Sequence, residues 1–244
     1  MTTSVTRLLG ALRTDLQLQA RNQLYAISFA VALLSAAALA WLSPPDRLAR
    51  TVPMTLLMFV GGSTLLYVVA MVILEKDDGV LGALAVTPLR PGEYLLAKVV
   101  SLTLLATMEG LIITGGAWWW LQRKQPLEVP SPLLFVGLLA LGSFHVLVGV
   151  VLVVRYERLT EALLPMGLVA TLFQLPALYF VGALDSPWLL AIPSGPPAML
   201  VKGAFVPLTH LEWVYALVGT VVPMVVVAAW ARRAYESHVV RRAA

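Results

Sequence analysis

The sequence of 244 residues contains no cysteine and little charge. Without cysteine there is no disulfide framework, no thiolate metal site and no cysteine nucleophile. Charged residues make up 12% of the chain, about half of the roughly 25% that is typical of a soluble domain. A soluble domain needs charge to cover its surface, so this composition excludes that class. Apolar residues make up 59% and the mean hydropathy is +0.86, which excludes a disordered chain because such chains are polar.

Sequence motifs for nucleotide hydrolysis and for zinc chemistry are also missing. The chain has no G-x-x-x-x-G-K-S/T phosphate loop and no H-E-x-x-H motif, so we predict no metal site and no cofactor in this chain. A serine protease needs a serine and a histidine that face each other. Ser143 lies only two residues before His145, a spacing that places the two side chains on different faces of one helix. We therefore predict no catalytic residues and no enzymatic activity.

The apolar residues are gathered in long runs. Crossing the roughly 30 Å of a bilayer core takes about 20 apolar residues in a helix, whereas strands of a membrane barrel alternate apolar and polar residues. The runs are continuous, which favours helices. The six stretches of sufficient length are residues 23–42, 52–74, 94–121, 132–154, 162–184 and 211–231. The sequence therefore predicts an all-α polytopic membrane protein, with one six-span domain over residues 23–244.

Residues 1–22 precede the first span and have a different pattern. Five apolar residues recur there at helical spacing: Val5, Leu8, Leu9, Leu12 and Leu16. Arg7, Arg13 and Asp15 fall on other faces. The pattern predicts an amphipathic helix that lies in the membrane interface. The alternative is a disordered basic tail.

The basic residues predict the orientation of the chain. The N-terminus, the second and fourth loops and the C-terminus together hold 12 of the 17 lysines and arginines. Because cytoplasmic loops carry an excess of these residues, both termini are expected in the cytoplasm. This distribution also accounts for the sequence pI of 9.6 without a nucleic-acid partner, for which no basic block with interleaved aromatics is present.

The connection between the last two spans is rich in proline. Residues 187–207 contain Pro187, Pro193, Pro196, Pro197 and Pro207 and are too apolar for a solvated loop. The composition predicts two short helices that re-enter the outer leaflet, since irregular backbone at that depth must be buried in protein or line a cavity. The alternative is a loop that lies flat on the lipid headgroups.

The second loop, residues 75–93, carries its own short helical pattern. Asp77 or Asp78 can cap a helix start, and an apolar stripe two turns long follows. Pro88 ends this helix, because the residue before a proline disfavours the helical conformation. The stripe consists of Val80, Leu81, Leu84 and Ala85. A stripe this small must lie on the membrane interface or dock into a partner, and the residues alone leave both open.

The pattern E-x-x-x-G-x-L-x-x-L-x-V-T-P-L in this loop resembles the permease subunits of type-2 ATP-binding-cassette (ABC) exporters. The matching positions are Glu75, Gly79, Leu81, Leu84, Val86, Thr87, Pro88 and Leu89. The resemblance extends over nearly the whole chain, through the interfacial helix, the six spans and the proline-rich segment. Residues 175–205 are similar to bacterial drug-export permeases, including the fluoroquinolone-export group.

The resemblance implies that the second-loop helix couples the chain to a separate nucleotide-binding subunit, which would hold ATP and Mg²⁺ and hydrolyse the ATP. It also implies a second permease copy, or a homologous permease, as partner. The coupling residues carried over are Glu75, Asp78, Gly79, Leu81, Leu84, Thr87 and Pro88.

Two ionisable residues lie in the middles of the predicted spans, Glu109 in the third and His145 in the fourth. Such residues are costly in a bilayer and usually face the bundle interior or a water-filled cavity. One hypothesis is a Glu109–His145 pair that tunes a substrate path or carries protons. The alternative is that each is hydrogen-bonded separately inside the bundle.

Gln174, followed by Pro176, is the third polar candidate for the translocation path. A proline frees a backbone carbonyl and can kink a span. In the family that the chain resembles, spans two and five line the dimer interface and the central path, and Gln174 lies in span five.

The function predicted is export of an amphipathic or lipid-like small molecule, such as a drug, across the bacterial cytoplasmic (inner) membrane. The alternatives are a proton-coupled secondary transporter that uses Glu109, and a membrane scaffold or sensor that does not transport.

Overall fold

The computed structural model describes residues 4–77, 90–235 and 237, and these residues form helices and connecting turns, with no strand among them. The α-helices are α1 (Ser4–Arg21), α2 (Leu24–Leu42), α3 (Leu48–Asp77), α4 (Pro91–Leu121), α5 (Leu133–Val153), α6 (Leu159–Gln174), α7 (Pro176–Val181), α8 (Gly195–Lys202) and α9 (His210–Tyr235). Two 3₁₀ helices, Pro45–Arg47 and Pro187–Ala191, complete the described elements.

Six stretches of the described residues are long and apolar enough to cross a membrane. They are Leu24–Leu42, Pro45–Lys76, Gly92–Leu121, Leu133–Val153, Leu159–Val181 and His210–Tyr235. The predicted all-α fold and the six predicted spans are confirmed. Their ends differ from the predicted ends by up to seven residues, the largest difference being at the start of the second span.

The helix α5 lies at the centre of the bundle and is the most completely buried of the spans. Its glycines allow neighbouring helices to approach closely. A methyl group on Gly142 would lie 3.1 Å from Cβ of Ala106 in α4, and one on Gly149 would lie 2.9 Å from Val68 in α3. By contrast, few residues of α6 and α9 are buried.

The helix α1 is present as predicted, and it faces the protein with polar side chains. Asp15 and Gln19 are buried against α4, whereas Val5 and Leu9 are exposed. An amphipathic helix that buries its polar residues against a span leaves part of its apolar stripe for another surface. Its position in the membrane interface stays a prediction.

The proline-rich segment folds into the 3₁₀ helix Pro187–Ala191 and the helix α8. Residues 195–201 of α8 are all buried. Two glycines bring α8 close to its neighbours, since a methyl group on Gly137 of α5 would lie 2.8 Å from Val201, and one on Gly219 of α9 would lie 2.7 Å from Pro196. The segment therefore belongs to the packed bundle, and its re-entry into the outer leaflet stays a prediction.

Candidate functional site

Glu109, on α4, is completely buried and is hydrogen-bonded by two serines from other helices. Ser63 of α3 donates to Oε1 at 2.8 Å, and Ser28 of α2 donates to Oε2 at 3.0 Å. Both carboxyl oxygens are therefore occupied. Buried polar groups in a membrane need such partners, because no water is present to supply them.

His145, on α5, is also buried, with 1% of its surface exposed. Its Nδ1 donates to the carbonyl of Leu141 one turn earlier, at 2.8 Å. Its Nε2 has no hydrogen-bond partner among the described residues, and this nitrogen faces Gly61 of α3, where a methyl group would lie only 2.8 Å away. The ring of Phe173 of α6 lies edge-on to the imidazole, with centroids 6.2 Å apart.

Gln174 lies where the fifth span breaks. The helix α6 ends at Gln174 and α7 begins at Pro176, as the proline predicts. The Gln174 side chain donates to the carbonyl of Met58 in α3 at 3.0 Å. Beside it, Ser194 of the proline-rich segment donates to the carbonyl of Phe173 at 2.6 Å. The break is thus held from two sides by polar side chains.

The three candidates from the spans, Glu109, His145 and Gln174, converge on consecutive residues of α3, and we call them the polar layer. His145 faces Gly61, the Gln174 amide lies 3.0 Å from the position of a methyl group on Gly62, and Glu109 accepts from Ser63. This convergence is visible only once the helices are packed together.

The structure does not bring Glu109 and His145 together, and no hydrogen bond or ion pair links these two described residues. Residues two positions apart on a helix are separated by about 200° around its axis. The neighbours of Gly61 and of Ser63 therefore lie on different sides of α3. The arrangement matches the alternative in which each group is partnered separately inside the bundle.

Of the predicted coupling residues, Glu75 lies in the described part of the chain. Asp78, Gly79, Leu81, Leu84, Thr87 and Pro88 lie outside the described residues. Glu75 is 4% exposed, near the end of α3. It accepts hydrogen bonds from the hydroxyl of Tyr94 and from Nζ of Lys98, both on α4.

Lys98 pairs with a second carboxylate, Asp15 of α1. We call Asp15, Glu75 and Lys98 the buried ion cluster. Asp15 also accepts from Ser101 and, at 3.1 Å, from Gln19. The sequence analysis placed Asp15 on a polar face of the N-terminal helix and did not predict that Asp15 or Lys98 belongs to a site. The available signal was a lysine inside an apolar helix, which requires an acidic partner when it is buried.

A second contact holds α1 to the first turn of α4. Arg7 pairs with Glu93 at 2.8 Å, and Ser4 donates to the same carboxylate at 2.6 Å. The hydrogen bonds that Arg7 donates to Glu93 raise the pKa of the Arg7 guanidinium above its ordinary value. Glu93 in turn accepts from the backbone N–H of Arg90 at 3.1 Å, which caps α4. Two ion pairs therefore bind α1 to α4: Arg7 with Glu93, and Asp15 with Lys98.

Comparison with known proteins places this architecture in a family. Residues 6–243 match the profile of the fluoroquinolones export permease protein family. The chain is 27% identical over 252 aligned positions to a fluoroquinolones export permease protein of Mycobacterium tuberculosis strain CDC 1551 / Oshkosh, with 98% of each chain covered. The corresponding protein of strain H37Rv gives the same identity and coverage.

The match confirms the resemblance to ABC-type drug-export permeases. With six helices able to cross a membrane, the protein is a multi-pass membrane protein. Because the match covers nearly its whole length, the chain belongs to the fluoroquinolones export permease protein family.

Proposed function

We propose that this chain is the permease subunit of an ATP-driven exporter in the bacterial cytoplasmic membrane. The observation that carries the proposal is the match to an export permease family along residues 6–243. The relatives are named for fluoroquinolones, and we propose an amphipathic or lipid-like small molecule of that general kind as the substrate.

A separate nucleotide-binding subunit would supply the energy. The sequence has no phosphate loop, so ATP and Mg²⁺ would bind to that partner. Its docking site would be the segment between α3 and α4, which carries Leu81 and Leu84. Glu75 of α3 and Lys98 of α4 form an ion pair at the two ends of this segment. The pair supports this proposal, because a force that the ATPase applies to the segment would be transmitted to both spans. This segment is part of the second loop, which belongs to the set of loops and termini with the excess of basic residues, and that excess supports a cytoplasmic position for the segment.

The translocation path would run along the polar layer beside α3. Gln174 and Ser63 are partly exposed in the described chain, while Glu109 and His145 lie behind them, fully buried. Partly exposed polar groups within spans are costly against lipid. A second permease copy or a homologous permease would cover them and complete the path. The proline-rich segment, which reaches the break at Gln174 through Ser194, would dip into the outer leaflet at the exit.

Reconstitution tests the proposal. The chain would be purified together with a candidate ABC ATPase subunit and placed in vesicles that contain a fluorescent amphipathic drug. We expect drug movement that requires ATP and is lost when the phosphate-loop lysine of the ATPase is replaced.

Two results would contradict the proposal. Movement that follows a proton gradient and ignores ATP would establish the alternative of a secondary transporter that uses Glu109. Stable binding of the ATPase without movement of any amphipathic probe would favour a scaffold or sensor.

A further inference from the structure

The Lys98 side chain is 1% exposed and is shared between two carboxylates that belong to different helices. Its Nζ pairs with Asp15 of α1 and with Glu75 of α3, and each of these acids is 4% exposed. Lys98 itself is on α4. One buried ammonium group therefore connects three helices.

The buried ion cluster contains one more carboxylate than it needs to neutralise Lys98. A buried ammonium group is stable if it keeps one carboxylate, and it becomes very costly if it keeps none. Each acid also has a donor other than Lys98. Asp15 accepts from Ser101 and Gln19, and Glu75 accepts from Tyr94. The two sets of donors differ in position. Gln19 lies on α1 with Asp15, whereas Tyr94 lies on α4 with Lys98, so Glu75 would lose both of its donors if the end of α3 left α4.

Asp15 and Glu75 differ in their position in the bundle. Asp15 lies in the middle of α1, which is also tied to α4 through Arg7 and Glu93. Glu75 lies near the end of α3, directly before the proposed docking segment. If one pair opens when the ATPase pushes on that segment, it is the pair between Lys98 and Glu75.

We propose that Lys98 is a shared cation that allows the end of α3 to separate from α4 during transport, and that Asp15 is the positioning residue that makes this possible. While Glu75 is away, Asp15 keeps the buried Lys98 neutralised, and Glu75, two residues before the end of α3, is hydrated at the helix end instead of staying buried without a partner. This inference rests on the proposed function, because it assumes that an ATPase acts on the segment after Glu75.

Replacement of Asp15 should impair transport by holding the end of α3 against α4. In Asp15→Asn, Glu75 becomes the only carboxylate for Lys98, and the end of α3 is locked onto α4. We expect the transport rate to fall about tenfold, within the usual range of coupling between sites, while the ATPase still binds. Asp15→Glu should restore transport. The matched control is Asp46→Asn, an exposed carboxylate outside the cluster.

Pulsed electron paramagnetic resonance can measure the movement directly. Because the chain has no cysteine, Gln17→Cys on α1 and Leu74→Cys on α3 provide the only two thiols of this chain, and both positions are exposed. The ATPase would be used without cysteines, and labelled chains would be diluted with unlabelled ones so that one copy carries the measured pair. With the ATPase bound, we expect the label distance to change between the nucleotide-free and vanadate-trapped states. Asp15→Asn should abolish the change, and Asp15→Glu should restore it.

An Asp15→Asn variant that shows the full change in distance overturns the inference. If Asp15→Asn does not fold, the same distance measurement on Glu75→Gln tests the inference. We expect this variant to show the trapped-state distance without nucleotide, and the parent distance would overturn the inference. Absence of ATP-driven transport in the unsubstituted chain would remove the proposed function and this inference together. Transport that persists with an unaltered distance change in Asp15→Asn would remove only the inference.

Discussion

Ser63 of α3 donates a hydrogen bond of 2.8 Å to Oε1 of Glu109 of α4. Since Ser28 of α2 holds the other oxygen at 3.0 Å, the carboxyl group joins three helices within the membrane-spanning part of the bundle. Helices in lipid gain little from hydrophobic contact with each other, so interhelical hydrogen bonds and close packing determine how they fit together. The Ser63–Glu109 hydrogen bond therefore helps to set the position of α4 relative to α3 along the helix axis.

Replacement of Glu109 should separate a structural role from a role in proton transfer. Glu109→Leu removes the acceptor of the Ser28 hydroxyl and leaves Ser63 with only the carbonyl of Val60 at 3.3 Å, so we expect a loss of about 1–3 kcal/mol in stability. Glu109→Gln keeps an acceptor, so it should fold and export drug with the parent's pH dependence. Thermal unfolding in detergent and vesicle transport at several pH values measure both effects. Loss of export in Glu109→Gln, with a flattened pH profile, would assign proton transfer to this residue.

Gly61→Ala should destabilise the bundle. The added methyl group would lie 2.8 Å from Nε2 of the buried His145, and overpacking of this kind typically costs about 1–3 kcal/mol. Gly115→Ala in α4 is the matched control, because nothing lies within 4 Å of its new methyl group. Melting temperatures of the two purified variants provide the comparison. Equal stability of the two would contradict the close contact between α3 and α5.

Lys98→Met should be the most harmful single change in the buried ion cluster. It leaves Asp15 and Glu75 as buried carboxylates without a cation, and loss of one partner of a buried pair costs about 3–5 kcal/mol. Glu75→Gln should cost less, because Lys98 keeps Asp15. As a control, Lys202→Met breaks the pair with Glu212, whose side chains are 25% and 26% exposed, so we expect less than about 1 kcal/mol. Chemical unfolding would rank the three, and a larger effect at Lys202 would refute the ranking.

Leu81→Asp or Leu84→Asp should uncouple the protein from its ATPase. Both leucines belong to the apolar stripe of the second loop, and an aspartate there places a charge in the predicted docking surface. We expect weaker co-purification of the ATPase subunit and loss of ATP-driven transport. Val129→Asp, at a position that is 75% exposed in another loop, is the control. Unchanged binding and transport in both leucine variants would exclude this segment as the docking site.

The orientation can be tested with single cysteines. The natural chain has none, so any thiol labelling comes from the introduced residue. A membrane-impermeant maleimide applied to intact cells should label Val129→Cys, which lies in the third loop. It should not label Gln17→Cys until the membrane is permeabilised, because the excess of basic residues places the N-terminus inside. The reverse labelling pattern would invert the topology.

The sequence by itself determined the features that depend on local composition. The six spans follow from continuous apolar runs, and the break after Gln174 follows from Pro176, which cannot donate a backbone hydrogen bond. The resemblance to export permeases followed from the second-loop pattern, and the family match confirmed it.

Only the tertiary structure decided which polar groups meet. The sequence placed Glu109 and His145 in adjacent spans and allowed a pair, but the packed helices direct them to Ser63 and Gly61 on different sides of α3. Likewise, nothing local to Lys98 shows that it has two acidic partners from α1 and α3. The rotation and height of each helix are set by side-chain packing against its neighbours, and those contacts join residues that are far apart in the chain.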